Sequence, residues 1–353
     1  MPSAAGAAGT IQPLRAGPLP APVFAKPFKD RVLRHAPTRA AAASVAARPE
    51  QPYATPDGYT VLVAVSASYP DNAQTQAVVQ NNVNFLATRT HGTELGQLHV
   101  LVARPAEIHA QCGAAEAVAC YFPGERRMYI PGEPDPNAPN IPVEYVMTHE
   151  YGHHIATFRQ NALDDALDGA FTSGPEYWAT YEHICAGVEA GHYFPGDQGE
   201  HYLDNPGEGW ADSYAHLPEH YPNFLFQFDP SFTRDQGAFD AIHRDIADPW
   251  QGNVRQTFSG QLGARRHNQS FHQTVTLDGP LLVRLTARRG AQFAIRLAIN
   301  GRTVDRSKNT SNHVGISGRL CAPPGSPPSV DVGFKVLRRR GSSPFTLTAQ
   351  YAG

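Results

Sequence analysis

The sequence has few cysteines, a modest charge and no long apolar run, and each shortage excludes a class of protein. Its four cysteines include no Cys-x-x-Cys pair, which argues against a zinc site built from cysteine. No apolar run approaches the ~20 residues that cross a bilayer, so no membrane-spanning segment is expected. Charged residues make up 17% of the 353 residues and the net charge is -3. Nucleic acid is therefore not expected as a partner.

The composition favours a secreted protein. Glycine and proline number 31 each, which is typical of a loop-rich extracellular chain. Four cysteines permit two disulfides, although the sequence does not fix their pairing. Cys112 and Cys120 could close a short loop, which would leave Cys185 and Cys321 to join distant parts of the chain. The first residues lack the apolar core of a secretion signal, so we expect that a signal is absent from this sequence.

The first 52 residues contain almost no acidic side chains. Alanine, proline and arginine dominate this stretch, and Asp30 and Glu50 are its only acids. With little to bury, it predicts a flexible extension or pro-segment, and an arginine-rich transit peptide is the alternative. A piece around 23–33 could pack on the domain that follows. Whether the extension inhibits that domain or only links it stays open.

A His-Glu-x-x-His motif at 149–153 carries the most chemical information. On a helix, His149 and His153 stand on one face and can offer two imidazole nitrogens to one metal ion. Glu150 lies beside them and could take a proton from a water molecule that the metal activates. Apolar residues recur at helical spacing around the motif: Val143, Met147, Ile155 and Phe158. A surface helix whose histidines bind no metal is the alternative, and a third ligand decides between the two.

Glu208 is the candidate third ligand. Asn205 is a typical N-cap, Pro206 suits the first helical position, and Glu208 follows at the third. A glutamate at that position could serve only to cap the helix, with no metal involved. Asp212, one turn later on the same face, could accept the N–H of a metal-bound histidine.

A His-Glu-x-x-His helix followed tens of residues later by a Glu-x-x-x-Asp helix resembles the gluzincin zinc metallopeptidases, the clan that contains thermolysin. The resemblance covers roughly residues 55–250, and the residues that match the pattern are His149, Glu150, His153, Glu208 and Asp212. It implies a zincin-like domain in which His149, His153 and Glu208 bind Zn²⁺ and Glu150 is the general base.

The resemblance also implies a residue that stabilises the oxyanion. In smaller gluzincins a tyrosine shortly before the ligand glutamate has this role, and Tyr202 occupies that position. His201, Tyr214 and His216 lie near Glu208 in sequence as well and stay open for the same role.

Other ligand patterns compete with this interpretation. The metzincin pattern requires Gly and His where this chain has Ala156 and Arg159, so that class is excluded. An aspzincin would use an aspartate such as Asp164 or Asp165, but the accompanying Gly-Thr motif is missing. Composition alone leaves three further glutamates: Glu182, Glu200 and Glu219. By the same reasoning, His154, His183 and His192 are expected to be structural or exposed, because zinc needs only three protein ligands.

The order of predicted elements favours an α+β protein of two domains after the extension. Apolar runs predict strands at 59–66, 98–102 and 125–130, and a helix at 72–88. Residues 126–130 are the candidate edge strand for pairing with an extended peptide, with an internal strand as the equal alternative. The boundaries are 1–52 for the extension, 53–252 for the zincin-like domain and 253–353 for the last domain.

Beyond residue 250 the pattern changes to period-two alternation in short segments. Such segments predict an antiparallel β-sandwich of about a hundred residues. Asn300-Gly301 is a strong hairpin signal, and the run Arg338-Arg339-Arg340 is expected in a solvated turn.

Together these features predict a secreted zinc endopeptidase that acts on protein or peptide substrates. The alternatives are a zinc hydrolase of a non-peptide amide and a non-catalytic extracellular binding protein with a vestigial metal site. Glu150 argues against the last, because a binding module needs no base there. The oligomeric state stays open.

Overall fold

The computed structural model describes residues 9–17, 29–33, 45–163, 169–224, 228–307, 309–326 and 329–353. These residues form a mixed α+β structure with three sheets, whose strand pairs are mostly antiparallel. The larger hydrophobic core lies in the N-terminal part, and a second core lies within the C-terminal sheets.

Five strands form the N-terminal sheet, in the order β1-β2-β3-β5-β4. They are β1 (Gln51–Ala54), β2 (Thr60–Val65), β3 (His99–Ala103), β4 (Cys120–Phe122) and β5 (Arg127–Pro131). The central strands β2, β3 and β5 are parallel, and β1 and β4 add antiparallel edges. The apolar runs of β2 and β3 fit central strands that are covered on both faces.

Of the two alternatives for residues 126–130, the structure shows the internal strand and not the candidate edge. Strand β5 pairs with β3 on one side and with β4 on the other, so both of its edges are hydrogen-bonded within the sheet. The edge strand is β4. A disulfide between Cys112 and Cys120 ties it to the preceding helix.

Seven α-helices are found among the described residues. They are α1 (Ala73–Leu86), α2 (Pro105–Cys112), α3 (Val143–Thr157), α4 (Glu176–Tyr181), α5 (Ile184–Glu189), α6 (Pro206–Ala215) and α7 (Gln236–Ala247). Helix α3 carries the His-Glu-x-x-His motif and is buried along its length except at Thr157. A helix that is buried on all sides holds its side chains in fixed directions, as a site for chemistry requires.

Helices α3 and α6 approach closely through small residues. A Cβ on Gly152 would lie 3.0 Å from the Cα of Ala211. The indole Nε1 of Trp210 donates a hydrogen bond of 3.2 Å to the carbonyl oxygen of Gly152. This contact fixes the distance between the motif helix and the helix that carries Glu208.

The C-terminal part is β-sandwich-like, as predicted. Its strands are β6 (Asn253–Leu262), β7 (Asn268–Val275), β8 (Gly279–Ala287), β9 (Gln292–Ile299), β10 (Arg302–Arg306), β11 (His313–Leu320), β12 (Val330–Arg340) and β13 (Ser343–Ala352). They form two four-stranded sheets, β10-β9-β12-β7 and β11-β8-β13-β6. Buried and non-buried residues alternate along most of β13, as expected for a sheet with one face in a core.

Two local predictions in this region had different outcomes. Asn300 and Gly301 both have positive φ, 48° and 78°, and they connect β9 to β10 as a hairpin. By contrast, Arg338 to Arg340 lie within strand β12, and the turn follows at Gly341 with φ 70°. The charged side chains had suggested a turn, but a strand tolerates them where they face solvent.

The sandwich is joined covalently to the helical part. A disulfide links Cys185 of α5 to Cys321, so both pairings suggested by the sequence occur. The N–H of Asp278 donates a 3.0 Å hydrogen bond to Oγ1 of Thr180, next to this link.

The described pieces of the N-terminal extension pack against the domain that follows. Ile11 and Leu14 are buried in the main core. The N–H of Leu14 donates to Oδ1 of Asn82 at 2.8 Å, and Nδ2 of Asn82 donates to the carbonyl of Gln12 at 3.0 Å. Of the piece expected at 23–33, residues 29–33 pack on the domain, and 23–28 lie outside the described residues.

We predict that the buried carboxyl group of Glu176 makes the stability of the protein depend on pH. Burial, together with the charges of Asp245 and Asp278, raises the pKa of Glu176 to about 8. The native state therefore keeps a proton that the unfolded state loses near its ordinary pKa of 4.5. The contribution of Glu176 to stability should be greatest below that pH and fall by about 4 kcal/mol as the pH rises to 8. Urea unfolding of Glu176→Gln at pH 5 and pH 8 should show a smaller difference than wild type.

The matched control is Glu200→Gln, because Glu200 is exposed. It should keep the wild-type pH dependence. An unchanged pH dependence in Glu176→Gln would contradict the prediction.

Candidate metal centre

His149 and His153 project from α3 toward Glu208 on α6, and all three are buried. The Nε2 of His149 lies 3.4 Å from Oε2 of Glu208, and the Nε2 of His153 lies 3.1 Å from the same oxygen. The structure therefore brings together the three residues that the sequence predicted as metal ligands.

A fourth ligand atom comes from the N-terminal extension. Oδ2 of Asp30 lies 3.4 Å from Nε2 of His149 and 3.2 Å from Nε2 of His153. The four groups could hold a metal ion, and all four are buried. In a tetrahedral zinc site with bonds of about 2.0–2.1 Å, neighbouring ligand atoms are about 3.3–3.4 Å apart. The observed separations fit that geometry.

Neighbouring side chains orient the candidate ligands. Nδ1 of His149 lies 3.6 Å from Oδ1 of Asp212, on the side of the ring away from Asp30. The hydroxyl of Tyr145 donates a hydrogen bond to Asp212. Nε2 of Gln198 donates to Oε1 of Glu208 at 2.6 Å, which leaves Oε2 toward the histidines. Such outer contacts fix the direction from which a ligand approaches a metal.

The geometry favours the ligand role of Glu208 over the capping role. A capping box would require its carboxylate to accept the N–H of Asn205. That N–H instead donates to the carbonyl of Tyr202 at 3.3 Å. The side chain of Asn205 does cap α6, accepting the N–H of Gly207 at 3.1 Å. Both oxygens of Glu208 therefore serve the site.

The charges in this cluster perturb one another strongly. Burial opposes a charge on His149, but the carboxylates of Asp30, Asp212 and Glu208 outweigh it and raise its pKa well above the usual value. Burial also opposes the charge on Asp30, and His149 and His153 outweigh it and lower the pKa of that carboxyl. Without a metal, the cluster therefore stabilises positive imidazoles between carboxylates.

Glu150 lies in the same buried cluster, close enough to Asp30 for the two carboxyl groups to perturb each other. Neither of its carboxylate oxygens accepts a hydrogen bond from a described residue. Burial and the charges of Asp30 and Glu208 raise its pKa well above the usual value. A buried carboxyl that accepts no hydrogen bond from a described residue and has a raised pKa is a candidate for proton transfer.

Among the tyrosines and histidines near Glu208 in sequence, Tyr202 faces the site. Its hydroxyl donates a hydrogen bond to Asp30, at the carboxylate oxygen next to the one that faces the histidines. The hydroxyl of Tyr214 donates instead to the carbonyl of Thr90 at 2.7 Å. His216 bonds to the carbonyls of Asp212 and Phe224, and His201 stacks on Phe194.

The other acids considered as third ligands lie elsewhere or are engaged. Glu182 accepts the N–H and hydroxyl of Thr233, and Glu219 accepts from Thr90. Glu200 is exposed. Asp164 and Asp165 lie outside the described residues. The three histidines expected to be structural or exposed have contacts away from the ligand cluster: His154, His183 and His192.

Sequence reasoning missed Asp30 and Gln198 as members of the site. Gln198 carries no pattern, since a glutamine ten residues before a ligand has no chemical signature. Asp30 did carry a signal, because it is one of only two acids in the first 52 residues. A lone acid in an otherwise basic stretch could have been considered as a metal ligand.

Comparisons with known proteins leave the chain without an assigned relative. No protein-family model matches it, and no curated protein is significantly similar. Among solved structures, the pre-peptidase C-terminal domain of a collagenase from Bacillus anthracis is 14% identical, with a TM-score of 0.23 over 27% of this chain and 89% of that one. The lysozyme inhibitor PliG of Aeromonas hydrophila is 12% identical, with a TM-score of 0.19 over 28% of this chain and 84% of that one. Likeness at this level carries no functional information.

Within the described ranges, no helix combines the length and apolar character that crossing a bilayer requires.

Proposed function

We propose that the protein is a zinc-dependent metallopeptidase of the zincin type, secreted and acting on protein or peptide substrates. The observation that carries this proposal is the convergence of His149, His153 and Glu208 at tetrahedral spacing. The carboxyl of Glu150 lies beside them and accepts no hydrogen bond from a described residue. The donor set of two imidazoles and one carboxylate is typical of catalytic zinc.

The protein groups divide the chemistry among them. When bound, Zn²⁺ supplies a Lewis acid that polarises a carbonyl and lowers the pKa of water. Glu150 takes the proton of the attacking water and passes it to the leaving nitrogen. The hydroxyl of Tyr202, which here donates to an anionic oxygen of Asp30, donates to the developing oxyanion in the same way.

A peptide substrate is favoured over a non-peptide amide by the edge of the sheet. Strand β4 is the last strand of the sheet, beside the site. The side of β4 that faces away from β5 pairs with the extended main chain of residues 29–33. A site whose edge accommodates an extended chain can bind a peptide by main-chain hydrogen bonds. The two disulfides are consistent with an oxidising, extracellular setting.

We predict that Glu208→Ala weakens zinc binding at least about a hundredfold, because it removes one of the ligands that fix the ion. Zinc affinity can be measured by competition with a chromogenic chelator. The same preparations should be assayed for cleavage of casein and of quenched fluorescent peptides, with and without added zinc.

Glu182→Ala is the matched control, since Glu182 is also a buried glutamate, and its hydrogen bonds within the described part of the chain are to Thr233. It should keep wild-type zinc affinity. If Glu208→Ala binds zinc as tightly as Glu182→Ala, Glu208 is not a ligand. Bound zinc without peptide cleavage, in these variants and also in Asp30→Asn, would instead support a hydrolase of a non-peptide amide.

A further inference from the structure

Residues 29–33, here called the N-terminal strap, lie directly across the candidate metal centre. The strap contributes Asp30, whose side chain is fully buried although the extension around it is rich in small and basic residues. A buried carboxylate in such a segment has to be compensated, and here the imidazoles of His149 and His153 compensate it.

The strap is held on the free edge of strand β4 by its main chain. Val118 donates its N–H to the carbonyl of Lys29 at 2.8 Å, and Tyr121 donates to the carbonyl of Arg31 at 2.9 Å. The N–H of Leu33 donates back to the carbonyl of Tyr121 at 2.7 Å. These are the bonds of a short added strand, parallel to β4. An extended peptide that used this edge would have to displace the strap.

A second set of bonds joins the strap to the groups that orient the candidate ligands. The N–H of Val32 donates to Oε1 of Gln198 at 3.2 Å, while Nε2 of the same amide donates to Glu208. Tyr202 donates its hydroxyl hydrogen to Asp30 and accepts the N–H of Asp30 at 3.2 Å. The strap therefore occupies the hydroxyl group of Tyr202, which in the proposed mechanism donates to the oxyanion.

The number of protein ligands determines whether Asp30 leaves a position on the metal open for water or substrate. A catalytic zinc keeps one position for water or substrate, whereas four protein ligands close the site. With His149, His153 and Glu208, Asp30 completes four. A permanently closed structural site would have no use for the buried carboxyl of Glu150 beside it, which accepts no hydrogen bond from a described residue. The combination indicates a catalytic site that is closed by a removable ligand.

We propose that the N-terminal strap is a built-in inhibitor of this site, with Asp30 as a displaceable fourth metal ligand and the β4 edge as its docking strand. This inference rests on the proposed metal-dependent function. A tethered segment needs only weak contacts to occupy its site, because its effective concentration is high. The few hydrogen bonds of the strap meet that requirement and still allow its release.

The test uses the full chain loaded with Co²⁺, with acetohydroxamate as a small probe that binds an open metal position. Binding is followed by the change in the visible absorption of the ion. Asp30→Asn should bind the probe at least tenfold more tightly than wild type. If the asparagine amide still occupies the metal position, Asp30→Ala, which has no such group, should show this gain. Asp248→Asn, which removes an exposed acid, should match wild type. Equal probe affinity in wild type and both Asp30 variants would overturn the inference.

Peptide cleavage by the zinc-loaded variants separates this inference from the proposed function. Tighter probe binding with at least tenfold faster peptide cleavage supports both. Tighter probe binding without cleavage supports the closed site and overturns the peptidase proposal. Cleavage at equal rates in wild type and the Asp30 variants, with equal probe affinity, overturns the proposal that the strap is an inhibitor. It leaves the proposal of a peptidase intact.

Discussion

Glu150→Gln is expected to keep zinc and lose on the order of a thousandfold in peptide cleavage. Glutamine has the same shape but cannot accept the proton of the attacking water. The ligand atoms of His149, His153 and Glu208 do not depend on Glu150, because its oxygens accept no hydrogen bond from a described residue. Metal content and kcat/KM should be measured on the same preparations, in the wild-type and the Asp30→Asn backgrounds. The second background ensures that a closed site does not hide the effect.

The control for this prediction comes from the same helix. Glu144 is also buried in α3, but it lies in the first turn and contacts Gln12. Glu144→Gln should change kcat/KM less than threefold, since it removes a charge from α3 away from the metal. A Glu150→Gln protein with bound zinc and full activity would refute the role of Glu150 as the base. Loss of zinc from Glu150→Gln would show instead that the carboxylate supports the ligands.

The part of the site that lies on helices could be predicted from the sequence because its signals are local. A spacing of four residues places His149 and His153 on one face whatever surrounds the helix. Glu208 and Asp212 show the same spacing on α6. The structure brings the two helices together as the pattern implied, with 3.1 Å between His153 and Glu208.

Asp30 could not be predicted because its contact is not local. It meets His153 across 123 residues of sequence, from a segment with no periodic pattern. The strand order was hidden for a related reason. Strand β4 has three residues, too few for an alternation to show, so the pattern does not reveal that β5 is internal and β4 is the edge.

The sandwich was predictable in class but not in detail. Alternation of apolar residues identifies strands, and Asn300-Gly301 identifies a hairpin, because both depend on neighbours in sequence. How eight strands divide between two sheets depends on long-range pairing that the pattern does not encode. Zinc as the metal, and peptide as the substrate, stay predictions of the ligand chemistry.

The close packing around α6 leads to the second large effect, in Gly207→Ala. A Cβ at position 207 would overlap the carbonyl oxygen of Phe171 and lie 3.1 Å from that of Thr172. Both neighbours are main-chain atoms, so no side chain can move aside. The first turn of α6 would have to shift, and Glu208 would move with it. We expect a loss of about 3 kcal/mol in the free energy of unfolding, together with weaker zinc binding.

The measurement is urea unfolding of the apo protein, combined with chelator competition for zinc. Gly318→Ala is the control, because, apart from the chain neighbours, no atom of the described residues lies within 4 Å of a Cβ built there. Alanine otherwise favours a helix over glycine by about 1 kcal/mol, so without the overlap Gly207→Ala would stabilise the protein. The overlap predicts a lower free energy of unfolding for Gly207→Ala, whereas helix propensity alone predicts a higher one. A stabilised Gly207→Ala protein with unchanged zinc affinity would show that Glu208 is not positioned by the contact between α6 and residues 171–172.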